Sequence, residues 1–394
     1  MTRAVTYGLD ATPLLGRRTG IGRYVAEIAD GVLAGLAADE RVLLYAGTFR
    51  LNPLFGVSHA PLRRLARDAR VRVRRQWIPL SVSHAVWNRV DWPPLELLTG
   101  RLSVFHGTNF QLPPLSRARG IVTVHDLAFL TCPGSVPPGV AARLALSARS
   151  SVRRAVRVVA DSEHTRRDVI DLLGAPPSRV TTIHLAAGAA FRPPVDVEAD
   201  RARIAARYGL RFPYVLYVGT TNPRKNLARL LDAFAVARRR ASLPHSLVLV
   251  GDPGFAHASV LSQIERLGLR DAVLLPGYTD DADMPAIYGA ADLLAFPSLY
   301  EGFGLPVLEA MSVGCPVLTS NVSSLPEIAG DAALLVDPTS VDEIGAAIER
   351  ALTDAALRAN LVARGLRRAS TFSWARAAAE HLRLYREVAA QARA

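Results

Sequence analysis

Apolar residues in this chain mostly come in short unbroken runs separated by stretches with helical spacing. In the first half the runs 5–9, 41–46, 71–78, 102–105, 121–124, 156–161 and 180–185 read as strands. In the second half 214–218, 247–250, 272–275, 291–296, 316–319 and 332–336 do the same. Runs of this length without strict alternation suit strands buried on both faces. Helical patterns between most of them predict crossover helices and parallel sheets. Helices are expected at 21–36, 226–239 and 371–391, with Thr371 as the cap of the last, and another between Ser162 as cap and Gly174 as stop. The stretch AAGAAFRPPVDVEADRAR is rich in alanine and proline and lacks apolar periodicity, so the interdomain connection is expected at 187–210. The fold class is α/β with two doubly wound parallel-sheet domains, of roughly 190 residues each.

The most informative stretch is 299–338, LYEGFGLPVLEAMSVGCPVLTSNVSSLPEIAGDAALLVDP. Pro297 and Ser298 stop the strand before it, and Gly302 and Gly304 mark a tight loop. Pro306 suits the first turn of a helix that runs to Val313 and ends at Gly314. Glu301 therefore lies on a loop just outside the carboxyl end of a strand, where open α/β sheets take their ligands. The N–H groups of Phe303, Gly304 and Leu305 fall at a helix N-terminus, which favours anions. Glu309, one turn in, can reach the same crevice and accept from hydroxyls, or can simply solvate its helix. A phosphorylated, polyhydroxylated ligand fits such a site.

The run E-G-F-G-L-P-x-L-E-A-M followed by G-x-P-V resembles the donor-site signature of the family-4 retaining glycosyltransferases of GT-B fold. The tail SSLPEIAGDAALLVDP follows the same pattern. The resemblance implies two Rossmann-like domains facing across a cleft: an acceptor-binding domain at 1–190, a nucleotide-sugar-binding domain at 191–372, and a helix at 373–394 that crosses back to the first. It implies that both glutamates contact a sugar nucleotide; from their placement, Glu301 on the loop is expected to meet the sugar ring and Glu309, deeper in the helix, the ribose hydroxyls.

The loop GTTNPRKN carries the second signal. Lys225 is the one lysine among 47 basic residues. With Arg224 it stands at a helix start, where cation and backbone N–H together neutralise phosphate. A compact ammonium fits between phosphate oxygens and a leaving group as a planar guanidinium does not. The family has a matching lysine at the donor diphosphate. Many members also have an arginine directly after the glycine, where this chain has Thr220.

In the first half, DATPLLGRRTGIG gives a glycine-bearing loop after the first strand. It resembles the family loop over the diphosphate and acceptor, which implies a role for Gly16, with Arg17, Arg23 and Tyr24 as further candidates. FHGTN and VHDLAF end two strands in histidine, which places His106 and His125 on one crevice-facing edge, with Asp126 beside them. VHDLAF resembles the acceptor-domain motif whose histidine, here His125, lies near the transferred sugar. In GYTDDAD, the resemblance places Tyr278 beside the base. Asp281 and Asp283 read as an acidic loop before a helix rather than a metal site.

A net charge of +12 attracts anionic partners, and the segment 61–75 concentrates arginine where the family meets membrane; a solvated helix face is the alternative. No zinc finger, RNP-like motif or helix-turn-helix supports nucleic acid. Cys132 and Cys315 are too few and too distant for a disulfide framework or metal site. No apolar run approaches the ~20 residues of a membrane span, and the N-terminus lacks a signal-peptide core, so a cytoplasmic protein, peripheral on the inner face of the membrane, is expected. The activity expected is transfer of a hexose, GDP-mannose being the first donor considered, from a nucleoside-diphosphate sugar to a hydroxyl of a glycan, lipid-linked or small-molecule acceptor. Glu301, His125 and Lys225 would be its catalytic residues, and no metal or other cofactor is expected. The alternatives are a sugar-nucleotide epimerase on the same fold and a noncatalytic nucleotide-sugar-binding module.

Overall fold

The computed structural model describes residues 5–15, 20–47, 60–76, 78–254 and 256–391. Gly16 and Arg17 lie outside the described residues. The chain forms two compact units. One takes its described residues from 1–130, 136–185 and 374–394, the other from 131–135 and 186–373.

The first unit holds a seven-stranded parallel sheet of β1 (Val5–Asp10), β2 (Glu40–Gly47), β3 (Val71–Gln76), β4 (Val104–Gly107), β5 (Arg119–Val124), β6 (Arg157–Ala160) and β7 (Val180–Thr182). Their order is β3-β2-β1-β4-β5-β6-β7. The second holds a six-stranded parallel sheet of β8 (Tyr214–Val218), β9 (Ser246–Val250), β10 (Val273–Gly277), β11 (Leu293–Phe296), β12 (Val317–Ser320) and β13 (Leu334–Val336). Its order is β10-β9-β8-β11-β12-β13. Both are doubly wound Rossmann-like sheets whose strand order reverses once, between β1 and β4 and between β8 and β11. At such a reversal the neighbouring crossovers leave on opposite faces, which opens a crevice at the carboxyl ends of those strands.

The apolar runs become the central strands because both faces are covered. Tyr214, Val215, Leu216 and Tyr217 of β8 are all inaccessible to solvent, and each such side chain contributes roughly 1.5–3 kcal/mol by leaving water. The edge strand β3 differs: Arg72, Arg74 and Arg75 are exposed. Charge on an edge strand discourages pairing with another chain.

The C-terminal helix Trp374–Gln391 belongs to the first unit. It buries Ala377, His381, Tyr385 and Ala389 at four-residue spacing against the helix Gly20–Ala34. Gly31 makes that approach possible, since a Cβ there would sit 2.3 Å from the Ala378 Cβ. Arg386 clamps both oxygens of Glu40 at 2.8 Å, and the Tyr7 hydroxyl donates to the same carboxylate at 2.7 Å. Thr371 is not its cap: the helix begins at Trp374, and the Thr371 hydroxyl donates to the Arg368 carbonyl.

The expected connection at 187–210 needs a larger correction. Residues Val197–Tyr208 form a helix, capped by the Asp196 side chain on the Ala199 N–H and stopped by Gly209 in a left-handed conformation. It shows no apolar periodicity because Ile204 alone is buried. Charge holds it instead: Arg203, Arg207 and Tyr208 all bond the Asp283 carboxylate. Asp283 is thus a structural anchor within the second unit.

Candidate active site

In the second unit, β8 and β11 are the neighbours at the strand-order reversal, and their following loops meet. After β8 the chain turns through Gly219, makes a short helical turn at Pro223–Lys225, and enters the helix Leu227–Arg240. Asn226 joins the two in a left-handed conformation (φ 63°), and its side-chain amide donates to the Pro297 and Pro338 carbonyls at 2.9 and 2.6 Å. The Leu299 N–H donates to the Arg224 carbonyl at 2.8 Å. These bonds fix Arg224 and Lys225 against the loop that carries Glu301.

Glu301 is buried, and each of its oxygens meets a cation. Lys225 Nζ lies 2.6 Å from Oε1 and the Arg224 guanidinium 3.0 Å from Oε2. Arg224 also donates to the Tyr300 carbonyl at 2.9 Å, and Lys225 Nζ sits 5.0 Å from the Phe296 ring centroid. Burial alone would raise the Glu301 carboxyl, but the ammonium and guanidinium outweigh it and hold it at about 2. Two cations against one carboxylate leave the group with net positive charge, which suits an anionic ligand. The exposed Thr220 stands where the family often has arginine; the guanidinium beside Glu301 comes from Arg224, four residues on.

The helix Leu305–Val313 follows. Gly304 precedes it at φ 103°, a conformation that favours glycine. Phe303 is buried with its ring edge-on to Phe372 at 5.9 Å. Ser323 accepts from the Glu301 N–H at 3.1 Å, and the Ser324 hydroxyl reaches the Glu301 and Phe303 carbonyls at 2.9 Å each. The loop is therefore held from behind by the two serines of the SSLPE tail. Leu305 is half-buried at the first turn. Glu309 is buried and its Oε2 accepts from the Tyr288 hydroxyl at 2.9 Å. Tyr278 is exposed, at 43%, in the loop after β10.

In the first unit, His125 follows β5 and is buried. Its Nδ1 lies 2.6 Å from Asp161 Oδ2, and its Nε2 lies 2.9 Å from the Thr108 carbonyl. His106 does not share that edge. It lies inside β4, fully buried, with Nδ1 on the Tyr385 hydroxyl at 2.6 Å and Nε2 on Thr123 Oγ1 at 2.7 Å. The Tyr24 hydroxyl joins Thr123 Oγ1 at 2.8 Å to His381 Nε2 at 2.9 Å, and His381 Nδ1 bonds the Ala377 carbonyl at 2.8 Å. That carbonyl only accepts, so His381 Nδ1 carries the proton and Nε2 accepts from Tyr24. The direction then propagates from Tyr385 through His106, Thr123 and Tyr24 to His381. Burial lowers both histidines, His381 to about 4 and His106 well below its ordinary value, which keeps them neutral. His106 and Tyr24 thus belong to a buried network that seats the C-terminal helix.

Sequence reasoning did not single out Asp161, Thr108, Tyr288, Asn226 or the two serines. Ser323 and Ser324 lay in a recognised tail, and Asn226 adjoins Lys225. For Asp161 and Thr108 no signal existed, because their partner is set by strand order.

Two family models match: Glycosyl transferase 4-like domain over residues 19–186 and Glycosyl transferases group 1 over residues 200–368. The O-antigen chain mannosyltransferase B of Escherichia coli is 33% identical over 373 residues, 93% of this chain and 96% of its own. Among solved structures, sucrose-phosphate synthase from Thermosynechococcus elongatus superposes with a TM-score of 0.75 at 22% identity, covering 99% of this chain and 100% of the other. Anabaena HepE, solved with UDP and glucose, gives 0.69 at 19% identity over 96% and 98%. With both halves matched and a full-length relative at this identity, the chain belongs to the family-4 glycosyltransferases of GT-B fold and is a glycosyltransferase.

Proposed function

We propose that the chain transfers a mannosyl residue from GDP-mannose, with retention of configuration, to a hydroxyl of a glycan or lipid-linked acceptor in surface-polysaccharide synthesis. The observation that carries this reading is the clamp of Lys225 and Arg224 on the buried Glu301, at the carboxyl ends of β8 and β11. In this reading the two cations and the N–H groups of Phe303, Gly304 and Leu305 receive the diphosphate. They stabilise the charge that develops on it as the glycosidic bond breaks, which is electrostatic catalysis by preorganised groups. Glu301 faces the sugar, where positive charge develops, and Glu309 holds the ribose. Tyr278 lies beside the base. The first unit takes the acceptor on the carboxyl edge of its sheet, where His125 lies. No metal or other cofactor enters the reaction. Mannose is favoured by the full-length similarity to an O-antigen mannosyltransferase.

The enzyme would act in the cytoplasm at the membrane surface. Among the described residues no helix is long and apolar enough to cross a membrane. Exposed Arg72, Arg74 and Arg75 on β3 support contact with anionic lipid, as do exposed Val82, Val86 and Val90 along the helix Leu80–Val90.

A panel of nucleotide sugars tests the donor. Native-state ligands raise the melting temperature by mass action, so GDP-mannose and GDP should protect while the corresponding uridine compounds do not. Protection by UDP-sugars alone would replace the donor. Nucleoside diphosphate released at full rate without acceptor would point to an epimerase.

A further inference from the structure

The carboxyl ends of four adjacent strands in the first unit are tied by side chains. In sheet order β6, β5, β4 and β1, Asp161 follows β6, His125 follows β5, Thr108 follows β4 and Asp10 ends β1. Asp161 Oδ2 meets His125 Nδ1 at 2.6 Å, and His125 Nε2 meets the Thr108 carbonyl at 2.9 Å. The Thr108 hydroxyl then donates to the Asp10 carbonyl at 2.7 Å. The tie reaches the reversal between β4 and β1, where a sheet of this kind opens to its ligand.

With Asp161 ionised, both atoms facing the His125 ring are acceptors: a carboxylate oxygen and a main-chain carbonyl. A neutral imidazole has one N–H, so either tautomer would set a nitrogen lone pair against an oxygen at hydrogen-bond distance. Only the imidazolium donates to both. We propose that Asp161 is a positioning residue that holds His125 doubly protonated, making His125 a fixed cation and tie for these strand ends rather than a proton donor or acceptor to substrate.

The surroundings agree. Asp161 Oδ1 is buried with no hydrogen-bond partner among the described residues; burial pushes the Asp161 carboxyl up, and the charge and hydrogen bond of His125 are the main influences that favour its ionised form. Burial pushes the His125 pKa down, but the Asp161 charge and hydrogen bond, the Thr108 carbonyl and Asp126 outweigh it and the net direction is up. Tyr24 presents its ring edge-on at 5.0 Å and Phe110 at 5.9 Å, both contributing no charge. His106 of β4 and His381 of the C-terminal helix are neutral, and the charge on His125 helps keep them so. His184 faces Asp161 from beyond β7.

Nitrogen-15 spectra of the imidazoles in the full chain test this, with His125→Gln assigning the signal. Both His125 nitrogens should stay protonated at a pH where an exposed histidine has lost its proton. In Asp161→Asn the ring should deprotonate in the neutral range. Transfer, flat there in the wild type, should then fall by about tenfold for each pH unit above the new pKa. Asp161→Glu should restore the flat profile. A neutral His125 in the wild type at neutral pH would overturn the proposal, as would an Asp161→Asn variant with unchanged spectrum and pH profile. If that variant does not fold, the wild-type spectrum alone decides. The spectral arm needs no donor, so failure of the mannosyl assignment would leave it standing.

Discussion

Glu301→Gln removes the buried carboxylate that Lys225 and Arg224 share, and its effect on stability can be worked out. The carboxyl sits at about 2 in the folded chain against an ordinary 4.5. At about 1.4 kcal/mol per pH unit, that depression contributes roughly 3 kcal/mol. The sign follows from the depressed folded value: the contribution is complete above the unfolded pKa and is lost as pH falls toward 2. At pH 3 linkage leaves only about 1.4 kcal/mol of it. The second unit has under two hundred residues, so the variant should melt roughly 6–12 °C lower at pH 7, at about 2–4 °C per kcal/mol. The gap should shrink by more than half at pH 3. Scanning calorimetry of both proteins at the two pH values measures this. Ligand binding supplies a second reading of the same change. Without the carboxylate, Lys225 and Arg224 lose their counter-charge, so free nucleoside diphosphate should bind more tightly and with steeper salt dependence while turnover falls. An equal loss of stability at both pH values would refute the electrostatic account, and weaker diphosphate binding would refute the placement of the two cations.

Glu309→Gln should weaken free nucleoside diphosphate and full donor alike, by about tenfold or more for a charge-assisted hydrogen bond of roughly 1.5–3 kcal/mol, leaving turnover of bound donor little changed; calorimetric titration with both ligands checks it. Lys225→Ala should lose donor affinity and turnover together, and Lys225→Arg should recover only part, because a guanidinium is planar and larger; steady-state kinetics that are unchanged in both would remove Lys225 from the site. Binding to anionic vesicles should weaken steeply with salt and in Arg72→Glu/Arg74→Glu; sedimentation that ignores both would leave the β3 arginines as protection of a sheet edge.

Much of the fold is legible in the sequence because parallel sheets demand it. Strands covered on both faces must be uniformly apolar, so β1, β8 and β11 stand out as runs, and the glycines that bound them follow from backbone geometry. Glu301, Lys225 and the helix beginning at Leu305 are legible for the same local reason: each is fixed by a strand end, a tight turn and a helix start within a few residues. The helix Val197–Tyr208 escaped notice because it is held by charge on Asp283 rather than by an apolar face, and an ion pair between distant positions leaves no periodic trace. His106 and His125 look alike in sequence, each at the end of a short apolar run. Tertiary structure separates them, one locked neutral between Tyr385 and Thr123, the other facing two acceptors. The sequence by itself determined which segments are strands, where the loops break, and which charges stand at the ends of β8 and β11. Which loops become neighbours, that Arg224 and Lys225 share one carboxylate, and that Asp161 reaches His125 were decided only by strand order, because a crossover fixes proximity between residues whose separation in the chain carries no signal of it.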